Sequence, residues 1–160
     1  MSESIPLGRP ISMGIVVHAP GAGRSFGPGL TAKVDIAQSA DFAAFEAPLP
    51  PIWEGPPPHL HREYDEAFYV IEGSVVFWVN GATRDCSTGS FVYVPRGEIH
   101  GFDNPAREPA RLLIITSPGA LRLVEEVSEL PKDDQGQSYP ADLAAIYAQH
   151  ASEIVGLKPT

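Results

Sequence analysis

Gly55-Pro56-Pro57-Pro58-His59-Leu60-His61-Arg62-Glu63-Tyr64-Asp65-Glu66-Ala67-Phe68-Tyr69-Val70-Ile71-Glu72-Gly73 is the stretch that decides the fold. Three successive prolines cannot sit inside a helix, since each lacks an amide hydrogen and clashes with the preceding turn. His59-Leu60-His61 is therefore predicted to be extended. Side chains at i and i+2 of a strand share a face, with backbones roughly 7 Å apart, so the two imidazoles can converge on one ion. The carboxylate that joins them is less direct. Counting by two from His61 reaches Glu63 and Asp65, whereas Glu66 faces away in an unbroken strand. Glu66 enters the set only if the chain bends through the polar segment Arg62-Glu63-Tyr64-Asp65; Asp65 is its competitor, and Glu63 reads as a solvated charge.

A second block, Gly89-Ser90-Phe91-Val92-Tyr93-Val94-Pro95-Arg96-Gly97-Glu98-Ile99-His100-Gly101-Phe102-Asp103-Asn104, reads as an apolar strand, a Pro/Gly turn and a second strand carrying His100. Here the chain resembles the cupin family. The second cupin motif, Gly-X5-Pro-X-Gly-X2-His-X3-Asn, is matched by Gly89, Pro95, Gly97, His100 and Asn104. The first, Gly-X5-His-X-His-X3–4-Glu-X6-Gly, is matched by His59, His61, Glu66 and Gly73, and departs at its opening glycine, where Trp53 stands. The two motifs and their linker span about a third of the 160 residues. The stretches GPPPHLHREYDEAFYVIEG, GSFVYVPRGEIHGF and ARLLIITSPGALRLVEEV are similar to single-domain cupins of the bacterial quercetin 2,3-dioxygenase type.

The resemblance implies an all-β fold, a double-stranded β-barrel of jelly-roll type with C-terminal helices. It also implies a metal inside the barrel held by His59, His61, Glu66 and His100, with Glu66 at the start of its strand pointing inward. Activity does not follow from fold alone. Three imidazoles and a carboxylate suit one divalent transition metal (Fe, Ni, Mn, Cu, Co or Zn) better than calcium or magnesium. Four protein ligands leave positions open for substrate oxygen, water or dioxygen. A closed zinc site that only stabilises the fold is disfavoured, because a barrel of this size does not need a metal to fold.

With 11 basic and 20 acidic residues the net charge is -9 and no Lys/Arg cluster appears, so nucleic acid and anionic membrane are poor partners and a small molecule is the expected ligand. Cys86 is alone, which excludes a disulfide within the chain and leaves it a packed side chain. Met1-Ser2-Glu3-Ser4 has no basic segment followed by an apolar one, and no apolar run reaches membrane length. A soluble, cytoplasmic protein is the expectation.

Strands come first and helices last. Residues 30–39 and 42–49 alternate as barrel strands do, and residues 67–71 and 74–79 are joined by Glu72-Gly73. Asn80-Gly81 predicts a type I′ hairpin turn into residues 82–86, and residues 112–115 form an apolar run short enough for a buried strand. After Pro118-Gly119, Leu121, Val124 and Val127 share a helical face. Residues 131–139 are polar and turn-rich. Beyond them, residues 140–154 carry Leu143, Ile146, Tyr147, His150 and Ile154 at helical spacing, with Pro140 suited to the first turn. The domain reading is a single barrel over residues 1–130, with residues 131–160 a linker and an amphipathic helix packed on the barrel or on a partner subunit.

Strand parity gives the expected surroundings of the metal. Val75, Phe77 and Val79 share one face, with Val76 and Trp78 on the other; by the resemblance the first set points inward. Phe68 and Val70 have the parity of Glu66, and Phe102 that of His100. Phe68, Val70, Phe77 and Phe102 are thus the expected substrate pocket, an apolar wall suited to an aromatic substrate. His18 and His150 lie outside both motifs and are expected at the surface or in packing. Trp78 on the outward face and the amphipathic tail point to a homodimer. Three functions follow in order: a quercetinase-like dioxygenase in which Glu66 takes a proton from the substrate; a non-redox isomerase, lyase or cyclase; and a small-molecule-binding module without turnover.

Overall fold

The computed structural model of the chain describes residues 10–12, 14–134 and 138–156. A short hairpin of β1 (Pro10–Ser12) and β2 (Ile15–Val16) precedes β3 (Arg24–Phe26), β4 (Leu30–Val34), β5 (Ala43–Leu49), β6 (His59–His61), β7 (Glu66–Glu72) and β8 (Ser74–Val79). β9 (Ala82–Ser87), β10 (Phe91–Val94), β11 (His100–Asp103) and β12 (Ala110–Thr116) follow, then α1 (Pro118–Glu129), α2 (Pro140–Gln149) and β13 (Ser152–Ile154). The strands form two antiparallel sheets, ordered β10-β7-β12-β5-β4-β3 and β13-β6-β11-β8-β9. The chain changes sheet between β6 and β7, again between β7 and β8, and on each side of β10, which gives the jelly-roll arrangement expected from the sequence.

Local chemistry explains the crossings. Gly73, at the corner between the sheets, has φ +79°, and a Cβ there would lie 2.6 Å from the Pro109 carbonyl oxygen, so only glycine fits. Asn80 and Gly81 both have positive φ, 49° and 77°, as a type I′ turn requires. That turn sets Val79 opposite Ala82 and fixes the register of the β8–β9 hairpin.

Period-two alternation fills the space between the sheets. Phe45, Phe68, Val70, Val75, Phe77 and Leu112 all point inward and are fully buried. Residues 112–115 differ from the expected wholly buried run. Leu112 and Ile114 face the core, but Ile115 is 38% exposed, because only one face of β12 meets the opposite sheet. The strand expected over residues 30–39 stops at Val34, where Asp35 Oδ1 accepts the Ala37 amide and the Asp35 carbonyl accepts those of Gln38 and Ser39.

α1 begins as its sequence predicts, with Ser117 Oγ accepting the Ala120 amide and Pro118 in the first turn. Leu121 is buried, while Val124 and Val127 are half-buried. The tail requires a correction. α2 ends at Gln149 and not near Ile154: Ala151 turns the chain at φ +49°, and Ser152–Ile154 becomes a strand on the free edge of β6. Backbone pairing with an otherwise open strand edge outweighs continued helical spacing. The tail therefore packs on its own barrel. Trp78 is half-buried, and its indole nitrogen donates to Asp103 Oδ2 at 2.7 Å. Both features that pointed to a homodimer thus have partners within the chain.

Cys86 is half-buried against the core, as expected. In the connector over residues 131–139, Lys132 and Ser138 form an isolated bridge, and residues 135–137 lie outside the described residues, as does the start Met1–Ser4. No helix among the described residues is long and apolar enough to cross a membrane.

Candidate metal centre

The site lies between the sheets, with its residues delivered from both. His59 and His61 come from β6, His100 opens β11 directly opposite His59, and Glu66 opens β7 in the facing sheet. All four are buried, and one ligand atom from each lies within 4.8 Å of the others. The bend through residues 62–65 is present. It leaves Glu63 exposed and turns Asp65 outward to Arg96 at 3.0 Å, so Glu66 is the carboxylate brought to the imidazoles.

Each imidazole is held by its Nδ1. His59 donates to the Pro57 carbonyl at 2.9 Å, His100 donates to the Glu98 carbonyl at 3.0 Å, and His61 Nδ1 meets Ser152 Oγ at 2.7 Å. This leaves Nε2 as the inward-facing ligand atom of each ring. Glu66 Oε2 lies 2.9 Å from His100 Nε2 and 3.1 Å from His61 Nε2.

Burial is the largest influence on three of these groups. It drives His59 down to about 3, helped by His100 and His61. Burial also pulls His100 down, but its hydrogen bond to Glu66 and the carboxylate charge outweigh that, and the net shift is upward. For Glu66 burial raises the value, and the hydrogen bonds from His100 and His61 overcome it, holding the carboxyl well below the usual carboxylate range. Glu66 is thus an anionic carboxylate that favours a proton on His100, beside the neutral imidazole of His59. A divalent cation replaces that proton with two charges and finds borderline nitrogen and oxygen donors already aimed inward, so the residues fit a transition metal.

A cavity of about 670 Å³ opens onto His59, His61 and Glu66. Of the four expected pocket residues, Phe68 and Phe102 line it, whereas Val70 and Phe77 lie behind them in the core. Sequence reasoning missed other parts of its wall. Trp53, at the position where the motif has glycine, lines the cavity with its ring 5.9 Å from Phe102. Tyr147 of α2 is buried edge-on against His59 at 5.3 Å. Its place on the buried face of the tail helix was the available signal. The glycine itself is displaced: Gly55 is pressed so close to the Phe102 carbonyl oxygen that a Cβ would lie 1.9 Å from it. His18 bonds the Lys33 carbonyl, and His150 pairs with Glu126, both away from the centre.

Residues 46–116, which hold all four candidate ligands, match the cupin domain family. The chain carries a cupin domain. A stretch of 64 residues is 38% identical to the tetracenomycin polyketide synthase protein TcmJ of Streptomyces glaucescens, covering 40% of this chain and 43% of that protein. A shorter stretch of 44 residues is 32% identical to quercetin 2,3-dioxygenase of Bacillus subtilis, covering 28% of this chain and 13% of the enzyme. Among solved structures, the polyketide cyclase RemF of Streptomyces resistomycificus superposes with a TM-score of 0.50 at 30% identity, covering 56% of this cupin and 63% of RemF. The matched stretches span half the length of the curated relatives or less.

Proposed function

We propose that this cupin is a metal-dependent enzyme acting on a small aromatic or enol-containing substrate, with ring dioxygenation of the quercetinase type as its reaction. One observation carries the reading: of the buried cluster His59, His61, Glu66 and His100, the first three line a cavity of about 670 Å³ whose other walls are mostly aromatic and apolar. Trp53, Phe68 and Phe102 sandwich a flat ring and exclude water. His59, His61 and His100 serve as neutral ligands through Nε2. A bound divalent ion supplies Lewis acidity to a substrate oxygen. Glu66, ionised and aimed into the cavity, accepts the proton of the substrate hydroxyl or enol. Tyr147, its phenol raised by burial, stays protonated beside His59 and closes the wall on the helical side.

A second reading has its own support. The similarity to TcmJ is longer and higher in identity than that to the dioxygenase, and RemF, at 30% identity, covers more of the chain, which favours ring closure of a polyketide-like substrate without oxygen. Both reactions begin with the same proton transfer to Glu66. A closed-cell oxygen electrode with flavonol substrates tests the choice. Oxygen uptake matching substrate loss supports dioxygenation, whereas substrate conversion at equal rate without oxygen replaces it with the cyclase reading. Ligand binding with no turnover under either condition leaves only a binding module.

Assembly as a homodimer remains part of the proposal on new grounds. Phe91, Tyr93, Tyr69 and Ile115 share the outer face of the larger sheet, where register places Phe91 beside Tyr69 and both Tyr93 and Ile115 beside Ala67. Phe91 and Tyr93 are 62% and 58% exposed, an apolar patch of the kind that marks subunit contacts.

A further inference from the structure

The C-terminal strand reaches the candidate metal centre from outside the stretch that matches the cupin family. β13 pairs with β6 along its whole length, Ser152 opposite His61, Glu153 opposite Leu60 and Ile154 opposite His59. The pairing is extended by the Arg62 amide donating to the Ala151 carbonyl, by the Val155 amide donating to the Pro58 carbonyl, and by an ion pair of Arg62 with Glu153. Ser152 is 6% exposed, and its hydroxyl is a three-way junction. Oγ lies 2.7 Å from His61 Nδ1, 2.8 Å from the Tyr64 hydroxyl and 2.9 Å from the His150 carbonyl.

Donor counting gives an arrangement in which every group is satisfied. A serine oxygen has one proton to give and two lone pairs to offer. The His150 carbonyl can only accept, and both hydroxyls reach it, Ser152 at 2.9 Å and Tyr64 at 3.1 Å; with the serine proton directed there, Ser152 Oγ accepts from His61 Nδ1–H. Tyr64 also stacks on the His61 ring at 4.6 Å, which limits rotation about the last side-chain bond. His59 and His100 are oriented by backbone carbonyls within two residues of themselves, whereas His61 depends on a side chain 91 residues away. It is the one ligand whose tautomer rests on the tail.

We propose that Ser152 is a positioning residue for the metal centre: through its hydroxyl, the C-terminal strand holds His61 in the Nδ1–H tautomer with Nε2 presented to the ion. This rests on the metal-site reading above. Loss of the hydroxyl leaves the His61 Nδ1–H unpaired in a buried place and frees the ring to tilt or change tautomer. Removal of such an outer-shell partner commonly weakens metal binding by about 10–100-fold.

The test compares wild type, Ser152→Ala, Ser152→Thr and Tyr64→Phe by chelator competition with Co(II) and Zn(II), reading dissociation constants and the visible Co(II) spectrum. Thermal unfolding of the metal-free proteins is measured alongside. The expected result is affinity lowered about 10–100-fold and an altered Co(II) spectrum for Ser152→Ala, with Ser152→Thr restoring both because it keeps the hydroxyl. Tyr64→Phe keeps the stacked ring and the serine, and is expected to hold the wild-type spectrum with a smaller loss of affinity. Wild type that binds neither ion overturns the metal-site reading itself. Wild-type binding together with unchanged affinity and spectrum in Ser152→Ala overturns only the positioning role. If Ser152→Ala does not fold, loss of affinity in Tyr64→Phe equal to that of a fully removed ligand overturns the assignment of the role to the serine.

Discussion

Metal binding to this site should release a proton, and the structure says which one. In the metal-free protein burial lowers the pKa of His100, but the Glu66 carboxylate 2.9 Å away outweighs it and the net shift is upward, so His100 holds a proton to higher pH than an ordinary imidazole. His59 is held down at about 3 and carries none. An ion binding through His100 Nε2 must expel that proton, so proton and metal compete. Below the raised pKa of His100, lowering the pH weakens metal binding by about tenfold per unit for this one group, equivalent to about 1.4 kcal/mol. Above it the dependence on His100 disappears. Calorimetric titration of the metal-free protein in buffers of different ionisation heat counts the released protons directly. The Glu66→Gln variant sharpens the test: without the carboxylate, burial is opposed only by the hydrogen bond to the Glu98 carbonyl, so the pKa of His100 should fall and its proton release should diminish. Metal affinity that does not fall as the pH is lowered through the imidazole range, or a slope unchanged in Glu66→Gln, would refute the pairing of Glu66 with a protonated His100.

Glu66→Gln keeps a neutral oxygen donor but removes the base, so metal should largely remain while turnover falls by roughly a hundredfold, measured with saturating metal. Asn104, fully buried, donates to the carbonyls of Leu49, Pro50 and Glu108 and accepts from the Ala106 amide. The amide has two N–H donors, one of them shared between two carbonyls, so losing about three bonds at about 1 kcal/mol each predicts that Asn104→Ala is less stable by roughly 3 kcal/mol, a fall of about 10 °C in melting temperature by calorimetry. Light scattering should give twice the chain mass, and Tyr93→Lys at the exposed aromatic patch should return it to the monomer value; a wild-type monomer at micromolar concentration ends the dimer proposal.

Much of this site was legible because it is local. The prolines before His59, the i, i+2 spacing of the two histidines and the turn at Asn80-Gly81 each specify backbone conformation within a few residues, and each is found as read. Glu66 needed the motif, since strand counting alone left Asp65 in contention, and it is the pairing of Asp65 with Arg96 that settles which way each points. The tail was not legible. Leu143, Tyr147, His150 and Ile154 keep helical spacing past the point where the helix stops, and Ala151, the residue that turns the chain with positive φ, is not a type that advertises a turn. Its conformation is imposed by the open edge of β6, a tertiary demand with no sequence signal. Trp53 was hidden for a related reason: a position where the family pattern has glycine gave no hint that an aromatic ring would turn into the cavity, with Gly55 taking up the close backbone approach instead.

Elemental analysis of the purified protein beside its His61→Ala and His100→Ala variants tests the central claim most directly. The account predicts about one divalent transition metal ion per chain in the wild type and its loss in both variants, with circular dichroism showing that the barrel remains folded. Full metal occupancy in a folded His61→Ala or His100→Ala variant, or a wild type that takes up no transition metal when it is supplied, would contradict it.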